Sequence, residues 1–469
     1  MHNEIKRVFC LQQEKWPQLA RLGVSERIER LMRIDKYLRD ERHLLELYQA
    51  MFMDLHKPEV EVIATEVGIV QAQISYIKKH LSNWIRPRKV PTPLPLIGTR
   101  SFTRYEPKGV ILIISPWNFP LNLSLVPLVY AIAAGNAVIL KPSEISAHTS
   151  VFIKHMMDEL FPESEVMVFE GDASVASSLL EQPFNHIFFT GSPRVGKIVM
   201  TAAAKHLSGV TLELGGKSPA IIDETADISL IARRVAWAKC VNNGQTCITP
   251  DYLLIHESVC DSFIHEFGAA VKQLYDPEGE GIKNSPNYCR IINGMHFRRL
   301  RSIYDDAISK GACLSLGGDF DESDRFISPT LLEGVTCDMN IMNEEIFGPL
   351  LPIITYRNRK EAKDMIRRLP NPLTLYIASR DQANIDYFMD GISAGGTVIN
   401  DYMLGYSNPS LPFGGINNSG IGRSLGLHCF AGFSNERSII HRRWGSLNII
   451  YPPYNERVLR LIKTLYRWM

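Results

Sequence analysis

The chain has 469 residues, more than a single hydrophobic core usually supports, so we expect two or more lobes. Fifty-one basic and fifty acidic residues give a formal net charge of +1, which argues against a nucleic-acid-binding protein with a wholly basic surface. The eight cysteines form no CxxC pair and no dense cluster, which excludes a disulfide scaffold and a zinc site and favours a reducing, cytoplasmic compartment.

The N-terminal part of the chain is predicted to be helical. Its first residues lack the apolar core of a secretory signal, so the mature protein is expected to begin here. Ser25 is a candidate N-cap, and apolar residues recur at helical spacing through 28–38 and 44–55, which predicts a pair of packed helices. Residues 60–82 are predicted to form another helix, and four prolines between 87 and 95 then require an extended path.

From residue 109 onwards, short apolar runs alternate with amphipathic stretches, which is typical of parallel strands with helices on both faces. Such a sheet binds ligands at the carboxyl ends of its strands. The long apolar stretch at 119–140 is interrupted by polar residues, a proline and a glycine, so we predict a buried helix and strand rather than a membrane span. The predicted strands are GVILIIS, AVILKP, EVMVFEG and HIFFTGS, and the predicted helices lie near 121–134, 146–160, 174–181 and 194–205.

Gly191 and Gly196 flank the predicted start of a helix that directly follows a strand. Backbone N–H groups and the positive end of a helix at such a place could face a pyrophosphate. The GxxxxG spacing is loose when taken alone. No histidine shows metal-ligand spacing, so no metal site is predicted.

Cys247, at the end of NNGQTC, is a candidate nucleophile, and Glu213 in LELGGKSP is its candidate partner. A thiol is mostly protonated at neutral pH, and a carboxylate withdrawn from water can accept a proton from a thiol or from a water molecule. Gly244 and the Gly215–Gly216 pair lack Cβ atoms and would let chain or ligand approach closely. Taken alone, Cys247 would be interpreted as a small buried apolar residue, as Cys240 is here.

Six short motifs, followed by a glycine-rich segment, stand in a fixed order along the chain. This ordered set resembles the aldehyde dehydrogenase superfamily over about residues 105–440, and the short N-terminal part resembles its class 3 or fatty-aldehyde branch. The resemblance implies an α/β fold with a variant Rossmann cofactor domain, an α/β catalytic domain and a β-hairpin oligomerisation arm. The motifs are SPWNFP (115–120), ILKPSE (139–144), FTGSPRVG (189–196), LELGGKSP (212–219), GQTC (244–247) and EEIFGP (344–349), followed by PFGGINNSGIGRSLG (412–426).

The same resemblance implies a division of the chain into domains. The arm would join two subunits into a homodimer, with 86–104 as one strand of its hairpin; a plain linker between helix and sheet is the alternative for this segment. The implied parts are an NAD(P)-binding domain (1–85 and 105–212), a catalytic domain (213–410), the arm (86–104 and 432–445) and an amphipathic C-terminal tail (446–469).

The cofactor implied by the resemblance is NAD, with NADP as a second possibility. Lys141 and Glu144 would bind the adenosine ribose hydroxyls, where a carboxylate repels a 2′-phosphate and favours NAD. Arg194 stands where the family often has an acidic residue, which leaves the phosphate contacts open. The other implied cofactor-binding residues are Gly191, Ser192 and Gly196 at the phosphates, Glu345 and Phe347 at the nicotinamide riboside, and Trp117.

The implied reaction is the oxidation of an aldehyde to a carboxylic acid. Cys247 would attack the aldehyde carbon, the Asn118 side-chain amide and the Cys247 N–H would stabilise the oxyanion, and Glu213 would activate the water that hydrolyses the thioester. Trp117 and Phe119 suggest an apolar pocket for a medium- or long-chain aliphatic or an aromatic aldehyde. A CoA-acylating relative would not need Glu213, and a non-catalytic scaffold would be expected to have lost Cys247 or Glu213.

The C-terminal tail is predicted to form an amphipathic basic helix over 456–468. Two alternatives stay open for it: peripheral contact with an anionic membrane surface, or docking onto its own subunit or the dimer partner. Its apolar face would hold Val458, Leu461 or Ile462, Leu465 and Trp468, and its basic face Arg457, Arg460, Lys463 and Arg467.

Overall fold

The computed structural model describes residues 1–445 and 451–466. None of the helices within these ranges is both long enough and apolar enough to cross a membrane. The chain begins with five helices, of which the last two are joined by a π-helical turn at Ile63–Val67. These helices are α1 (His2–Leu19), α2 (Val24–Tyr37), α3 (Glu41–Leu55), α4 (Glu59–Val62) and α5 (Gly68–Ile85).

The predicted helix pair at 28–55 is confirmed by α2 and α3, but two features of this region differ from the prediction. Helix α1 was not predicted, and it packs across the six-stranded sheet described below. Ser25 is not the N-cap, because α2 begins one residue before it. The N-cap is Gly23, whose N–H donates to the Glu26 carboxylate at 2.7 Å, so a side chain inside the helix supplies the cap.

The remaining elements alternate strand and helix over most of the chain. Every strand and helix predicted between 109 and 205 is confirmed. In chain order they are β1 (Arg88–Val90), β2 (Thr99–Pro107), β3 (Val110–Ile114), α6 (Asn122–Ala134), β4 (Ala137–Lys141), α7 (Ala147–Leu160), β5 (Val166–Val168), α8 (Ala173–Leu180), β6 (His186–Gly191), α9 (Pro193–Ala204), β7 (Gly209–Leu214), β8 (Pro219–Ile222), α10 (Ile228–Cys240), β9 (Tyr252–His256), α11 (Cys260–Tyr275), α12 (Gly294–Ser309), β10 (Cys313–Leu316), β11 (Phe320–Asp321), β12 (Phe326–Ile327), β13 (Thr330–Glu333), α13 (Asn340–Asn343), β14 (Leu350–Tyr356), α14 (Arg359–Arg367), β15 (Thr374–Ala378), α15 (Gln382–Gly391), β16 (Gly396–Ile399), β17 (Gly420–Ile421), α16 (Gly426–Gly432), β18 (Ser434–Arg442) and α17 (Glu456–Tyr466).

A six-stranded sheet has the strand order β17-β7-β6-β3-β4-β5 and is parallel except for β17. Its central strands are buried on both faces, since helices cover each side, which is why their sequences are continuously apolar. Every residue of helix α6 except Leu123 is buried, so the predicted helix and strand of 119–140 are confirmed. The predicted border between residues 212 and 213 falls inside β7, so this sheet extends at least to Leu214.

A seven-stranded sheet has the strand order β10-β13-β14-β9-β8-β15-β16 and is parallel except for β10. Apolar cores lie on both of its faces. The NNGQTC segment connects α10 to β9, and EEIFGP connects α13 to β14, so both motifs belong to loops of this sheet. The doubly wound α/β architecture predicted from the sequence is therefore present in both sheets.

The predicted arm is an antiparallel three-stranded sheet, β1-β2-β18. Strand β18 pairs with β2 from Ser434 opposite Pro107 to Arg442 opposite Thr99. The linker alternative for 86–104 is thus wrong, and so is the single strand, because this segment holds β1 and the first part of β2. Exposed apolar residues mark this sheet and its turns: Val90, Leu94, Ile97, Ile440 and Trp444.

The tail forms α17, as predicted, and Arg467 and Trp468 lie outside the described residues, as does the side chain of Leu465. Between Glu456 and Thr464 the side chains are exposed, except for Val458 and Ile462, which are half-buried. Within the described part of the tail, the apolar face is therefore partly covered at Val458 and Ile462.

Candidate active site

A cavity of about 710 Å³ is lined by segments from both large sheets. The ends of β3, β6 and β7 contribute one side, as expected where the carboxyl ends of parallel strands meet. The loops that follow α10 and α13 contribute the other. The predicted site residues that line this cavity are Trp117, Asn118, Gly191, Ser192, Glu213, Cys247, Glu345 and Phe347.

The NNGQTC loop has an unusual backbone. Asn242, Asn243 and Gly244 follow one another with φ of 50°, 55° and 70°, the left-handed region that L-residues rarely adopt. A Cβ atom at Gly244 would overlap the carbonyl oxygen of Gly348, so the loop can pack against EEIFGP only with glycine there.

Buried hydrogen bonds hold this loop in place. The Asn243 amide donates to the Cys289 carbonyl at 2.8 Å, and the Gln245 amide donates to the Arg290 carbonyl at 3.0 Å. In return, the Ile292 N–H donates to the Gln245 side-chain oxygen at 3.0 Å. The segment before Cys247 is therefore fixed by side chain to backbone bonds rather than by a regular element.

Cys247 is half-buried and faces the cavity. Burial, together with the nearby charges of Glu345 and Glu213, raises the pKa of its thiol to about 12. The backbone N–H groups of Cys247 and Ile248 act in the opposite direction. Without an added positive charge, this group is a thiol at neutral pH, so nucleophilic attack requires a proton acceptor or a nearby cation.

Glu213 lies near the end of β7, and neither of its carboxylate oxygens has a hydrogen-bond partner among the described residues. Burial raises its pKa to about 8, while the nearby Ser424 hydroxyl and Arg423 guanidinium oppose the shift only in part. The glycine-rich segment 412–426 comes beside Glu213 because Gly420 of β17 pairs with it in the sheet. A buried carboxyl that titrates near neutral pH and lines a cavity suits a general base.

Asn118 follows β3 and contacts the NNGQTC loop directly. Its side-chain amide donates to the Gln245 carbonyl at 3.0 Å, and its own carbonyl accepts from the Asn242 amide at 2.8 Å. An amide nitrogen carries two hydrogens, so one remains after the bond to Gln245. That hydrogen is the candidate donor to the oxyanion that forms when the Cys247 sulfur attacks a carbonyl carbon.

Glu345 packs its carboxylate against Gly215, where a Cβ atom would overlap it. Burial and the charge of Asp251 raise the pKa of Glu345 to about 8, opposed by the Gly216 N–H. The cavity therefore holds two carboxyls of raised pKa, Glu213 and Glu345, and the charge of each acts on the Cys247 thiol.

Lys217 and Asp251 form a buried ion pair that the sequence analysis missed. Lys217 also donates to the carbonyls of Ile341 at 2.8 Å and Glu344 at 2.9 Å, and Asp251 accepts from the Ile346 N–H at 2.8 Å. The pair fixes EEIFGP relative to β7 and the Cys247 loop. The motif LELGGKSP contains Lys217, but Asp251 carries no local signal.

The cofactor side of the cavity has a donor set that suits a dinucleotide. Ser192 is the N-cap of α9 and Pro193 its first residue, so the positive end of this helix lies at the cavity wall. The ring of Trp117 contacts Phe347 edge-on at 5.3 Å between centroids, which places two aromatic faces beside Glu345. An anion-binding helix end, a carboxylate and aromatic rings match a pyrophosphate, a ribose and a nicotinamide.

Three predicted cofactor residues lie outside the wall of this cavity within the described structure: Lys141, Glu144 and Gly196. Lys141 is buried at the end of β4 and its Nζ is 2.5 Å from the exposed carboxylate of Glu144. The two lie at the same edge of the sheet as Ser192, where β4 and β6 flank β3. Gly196 is buried in α9 against Leu214, so its contribution is helix packing.

The other side of the cavity is apolar. Among the residues of this apolar side, only Phe119 was singled out from the sequence. The others come from helix faces and loops whose neighbours are set by tertiary packing. They include Ala64 of the π-helical turn, Ile69, Leu123 and Val126 of α5 and α6, and Val241, Met403, Tyr406 and Phe413 of later loops.

The chain is similar to known proteins over nearly its whole length. The sequence profile described as the aldehyde dehydrogenase family matches residues 2–439. A 4,4′-diaponeurosporen-aldehyde dehydrogenase of Staphylococcus aureus is 41% identical over 445 residues, which cover 95% of both chains. The human aldehyde dehydrogenase family 3 member B1 is 41% identical over 439 residues, covering 93% of this chain and 92% of that protein.

Solved structures agree with these relatives. The substrate-bound state of Staphylococcus aureus AldH superposes with a TM-score of 0.94 at 40% identity, covering 98% of this chain and 99% of that one. An indole-3-acetaldehyde dehydrogenase complexed with NAD⁺ superposes with a TM-score of 0.86 at 26% identity, covering 94% and 89%. The predicted fold, a cofactor domain and a catalytic domain of α/β type, is confirmed by these similarities.

Proposed function

The chain belongs to the aldehyde dehydrogenase family of NAD(P)-dependent oxidoreductases, and from this premise we propose that it oxidises a medium- or long-chain aliphatic or an aromatic aldehyde to the carboxylic acid. The observation that carries the proposal is that Cys247 and Glu213 line one cavity together with Asn118 and Glu345. The apolar wall formed by α5, α6 and later loops supports a hydrophobic substrate.

In the first half of the reaction, the Cys247 sulfur forms a bond to the aldehyde carbon. The thiol proton passes to a carboxylate, and Glu213 and Glu345, both with a pKa of about 8, are the acceptors in the cavity. The remaining Asn118 amide hydrogen and the Cys247 N–H donate to the oxygen as it gains negative charge. Bound NAD(P)⁺ supplies the hydride acceptor and a positive charge that lowers the thiol pKa.

In the second half, Glu213 in its ionised form takes a proton from a water molecule that attacks the thioester on Cys247. The carbon–sulfur bond breaks, the carboxylic acid leaves and the thiol is restored. Glu213 suits this step because its oxygens have no competing partner among the described residues. The presence of this carboxyl in the cavity favours hydrolysis over acyl transfer to CoA.

For the cofactor we propose NAD, with NADP accepted more weakly. Lys141 and Glu144 would hold the adenosine ribose, the start of α9 at Gly191 and Ser192 the pyrophosphate, and the Glu345, Phe347 and Trp117 group the nicotinamide riboside. The exposed Glu144 carboxylate repels a 2′-phosphate, while its ion pair with Lys141 weakens that repulsion.

The proposal is tested by following NADH absorbance with hexanal, benzaldehyde and decanal, and repeating the assay with NADP⁺. We expect kcat/KM to rise from hexanal to decanal by up to about fourfold per additional buried methylene, since each contributes about 0.8 kcal/mol. Absence of reduced cofactor with every aldehyde and both cofactors would favour the non-catalytic scaffold. A CoA thioester as the product, in the presence of CoA, would favour the acylating alternative.

For assembly we propose a homodimer formed through the arm. The support is the exposed apolar surface of β1, β18 and their turns, at Val90, Ile97, Ile440 and Trp444. Strand β16 at the edge of the seven-stranded sheet also has mostly exposed side chains, so a strand edge is available for pairing.

For the tail we propose peripheral contact with an anionic membrane surface. Helix α17 has Leu459 51% exposed and Leu461 36% exposed, beside the basic residues Arg457, Arg460 and Lys463. A basic amphipathic helix with exposed apolar side chains binds at a lipid interface.

Removal of residues 454–469 separates the two association proposals. We expect the full chain to co-sediment with liposomes containing anionic lipid and the truncated chain to remain in solution, while light scattering gives a dimer for both. Equal sedimentation of both chains, or none for the full chain, would contradict the membrane proposal. A truncated chain that becomes monomeric would instead indicate that the tail docks on the partner subunit.

A further inference from the structure

The segment between α3 and α5 contacts both loops that carry the proposed catalytic groups. Three of its charged residues, Lys57, Glu61 and Glu66, are directed into the protein. Lys57 and Glu66 form an ion pair at 2.7 Å with both side chains fully buried. The reaction above uses none of these three groups. Their burial needs another explanation, because a buried charge is costly unless it is paired.

The Lys57–Glu66 pair holds the SPWNFP segment. Glu66 accepts from the Asn122 N–H at 2.9 Å, at the start of α6. Lys57 donates to the Asn118 carbonyl at 3.4 Å, and its ammonium lies 4.2 Å from the centroid of the Phe119 ring. The backbone from the Asn118 carbonyl to the Asn122 N–H is thereby tied to the π-helical turn.

Glu61 contacts the NNGQTC loop. Its carboxylate accepts from the Asn242 N–H at 3.1 Å and from the Cys289 thiol at 3.5 Å. Asn242 is the first of the three consecutive residues with left-handed backbone, and it is fully buried. Since α10 ends just before this turn, the Asn242 N–H bonds to the Glu61 carboxylate instead of continuing the helical ladder.

Together these bonds form a bracket, residues 57–66, across the two loops. Asn242 itself links them, since its side-chain amide donates to the Asn118 carbonyl at 2.8 Å. A bond from a buried N–H to a carboxylate is stronger than one to a neutral acceptor, and its loss leaves the donor unsatisfied. The strained turn therefore has its strongest external support at Glu61.

We propose that Glu61 is a positioning residue of the active site: it holds the left-handed turn at 242–244, and through it the Cys247 sulfur, in place relative to the Asn118 amide. The Lys57–Glu66 pair holds the Asn118 side of the same geometry. This inference rests on the proposed role of Cys247 as the nucleophile. Glu61 acts through the loop and does not itself line the cavity.

The test compares Glu61→Ala and Glu61→Gln with Glu59→Ala, which removes an exposed carboxylate from the same short helix α4. For Glu61→Ala we expect kcat to fall by about 10- to 100-fold, because small misplacements of reacting groups have effects of this order. The KM for NAD⁺ should stay unchanged, and the peptide 242–247 should exchange its amide hydrogens faster. Glu61→Gln offers an amide oxygen to the Asn242 N–H and should restore most of kcat and of the protection.

The inference is overturned if folded Glu61→Ala keeps the wild-type kcat and exchange rate, or if Glu61→Gln is as impaired as Glu61→Ala. Should Glu61→Ala fail to fold, Glu61→Asp replaces it, since its carboxylate keeps the charge but is one methylene shorter. If Glu61→Asp loses kcat while Glu61→Gln keeps a kcat near that of the wild type, the positioning role is supported. If Glu61→Gln loses kcat while Glu61→Asp keeps it, the inference is overturned. A wild-type protein that oxidises no aldehyde while its 242–247 exchange still depends on Glu61 contradicts only the proposed function.

Discussion

Replacement of Cys247 by alanine is expected to abolish reduction of the cofactor by every aldehyde, with a fall in kcat of at least about 10⁴-fold. The reason is that Cys247 is the half-buried thiol facing the cavity, whereas Cys429, which also lines the cavity, is buried in the hydrophobic core. Cys240, seven residues earlier, is fully buried in the core beneath α10. The measurement is NADH formation with the best aldehyde of the wild-type protein.

A control for this variant is Cys313→Ala, which removes an exposed thiol at the start of β10 and should leave kcat unchanged. Binding of NAD⁺ by Cys247→Ala, followed by fluorescence, should match the wild type because the sulfur is not proposed to hold the cofactor. If Cys247→Ala retained more than about a hundredth of the wild-type kcat, covalent catalysis by this residue would be refuted.

Replacement of Glu213 by glutamine is expected to divide the reaction into its two halves. Glutamine keeps the shape but cannot accept a proton, so thioester hydrolysis should slow by about 10² to 10⁴-fold. Rapid mixing should then show a burst of about one NADH per subunit, followed by slow turnover. A burst requires that Glu345 can accept the thiol proton when Glu213 is absent. No burst and no turnover would instead assign thiol activation to Glu213 as well.

The pH dependence of the wild-type protein follows from the same carboxyl. A general base works in its ionised form, and burial raises the pKa of Glu213 to about 8. When hydrolysis limits turnover, kcat should therefore rise about tenfold per pH unit below 8 and level off above it. The Glu213→Gln variant should lose this rise. A wild-type kcat that stays flat between pH 6 and pH 9 would contradict the assignment.

Much of the fold could be predicted because its sheets are parallel and buried. Continuous apolar runs such as 110–114 and 137–141 have no other stable placement, and the helices between them follow the same rule. The position of SPWNFP, ILKPSE and FTGSPRVG is also local information, since each lies at the end of a predicted strand. This is why Asn118, Lys141 and Ser192 could be expected at one edge of the sheet.

What the sequence did not reveal depends on contacts between distant parts of the chain. Glu61 and the Asn242 N–H are 181 residues apart, and Asp251 and the Ile346 N–H are 95 residues apart. Neither pair has a spacing rule, and either acidic residue looks like an ordinary surface charge. Within 86–104 the chain reverses direction, since β1 pairs with β2 in antiparallel fashion, and this reversal was missed when the segment was predicted as one strand.

The electrostatics of the nucleophile were also beyond the sequence. Glu213 was predicted to have a raised pKa, and the structure agrees in direction. The second carboxyl, Glu345, makes the thiol less acidic rather than more, because two groups that can carry negative charge share its cavity. The sequence motif EEIFGP could not show that its Glu345 carboxylate packs against Gly215 beside them.

Strand β17, only two residues long, has a consequence for how this polypeptide matures. It comes late in the chain, at Gly420–Ile421, and seals the open edge of β7 next to Glu213. A polypeptide still emerging from the ribosome would thus contain Cys247 long before the wall beside its partner carboxyl exists. The wall beside Glu213 is therefore completed only after Gly420 and Ile421 have been added, well after Cys247 itself.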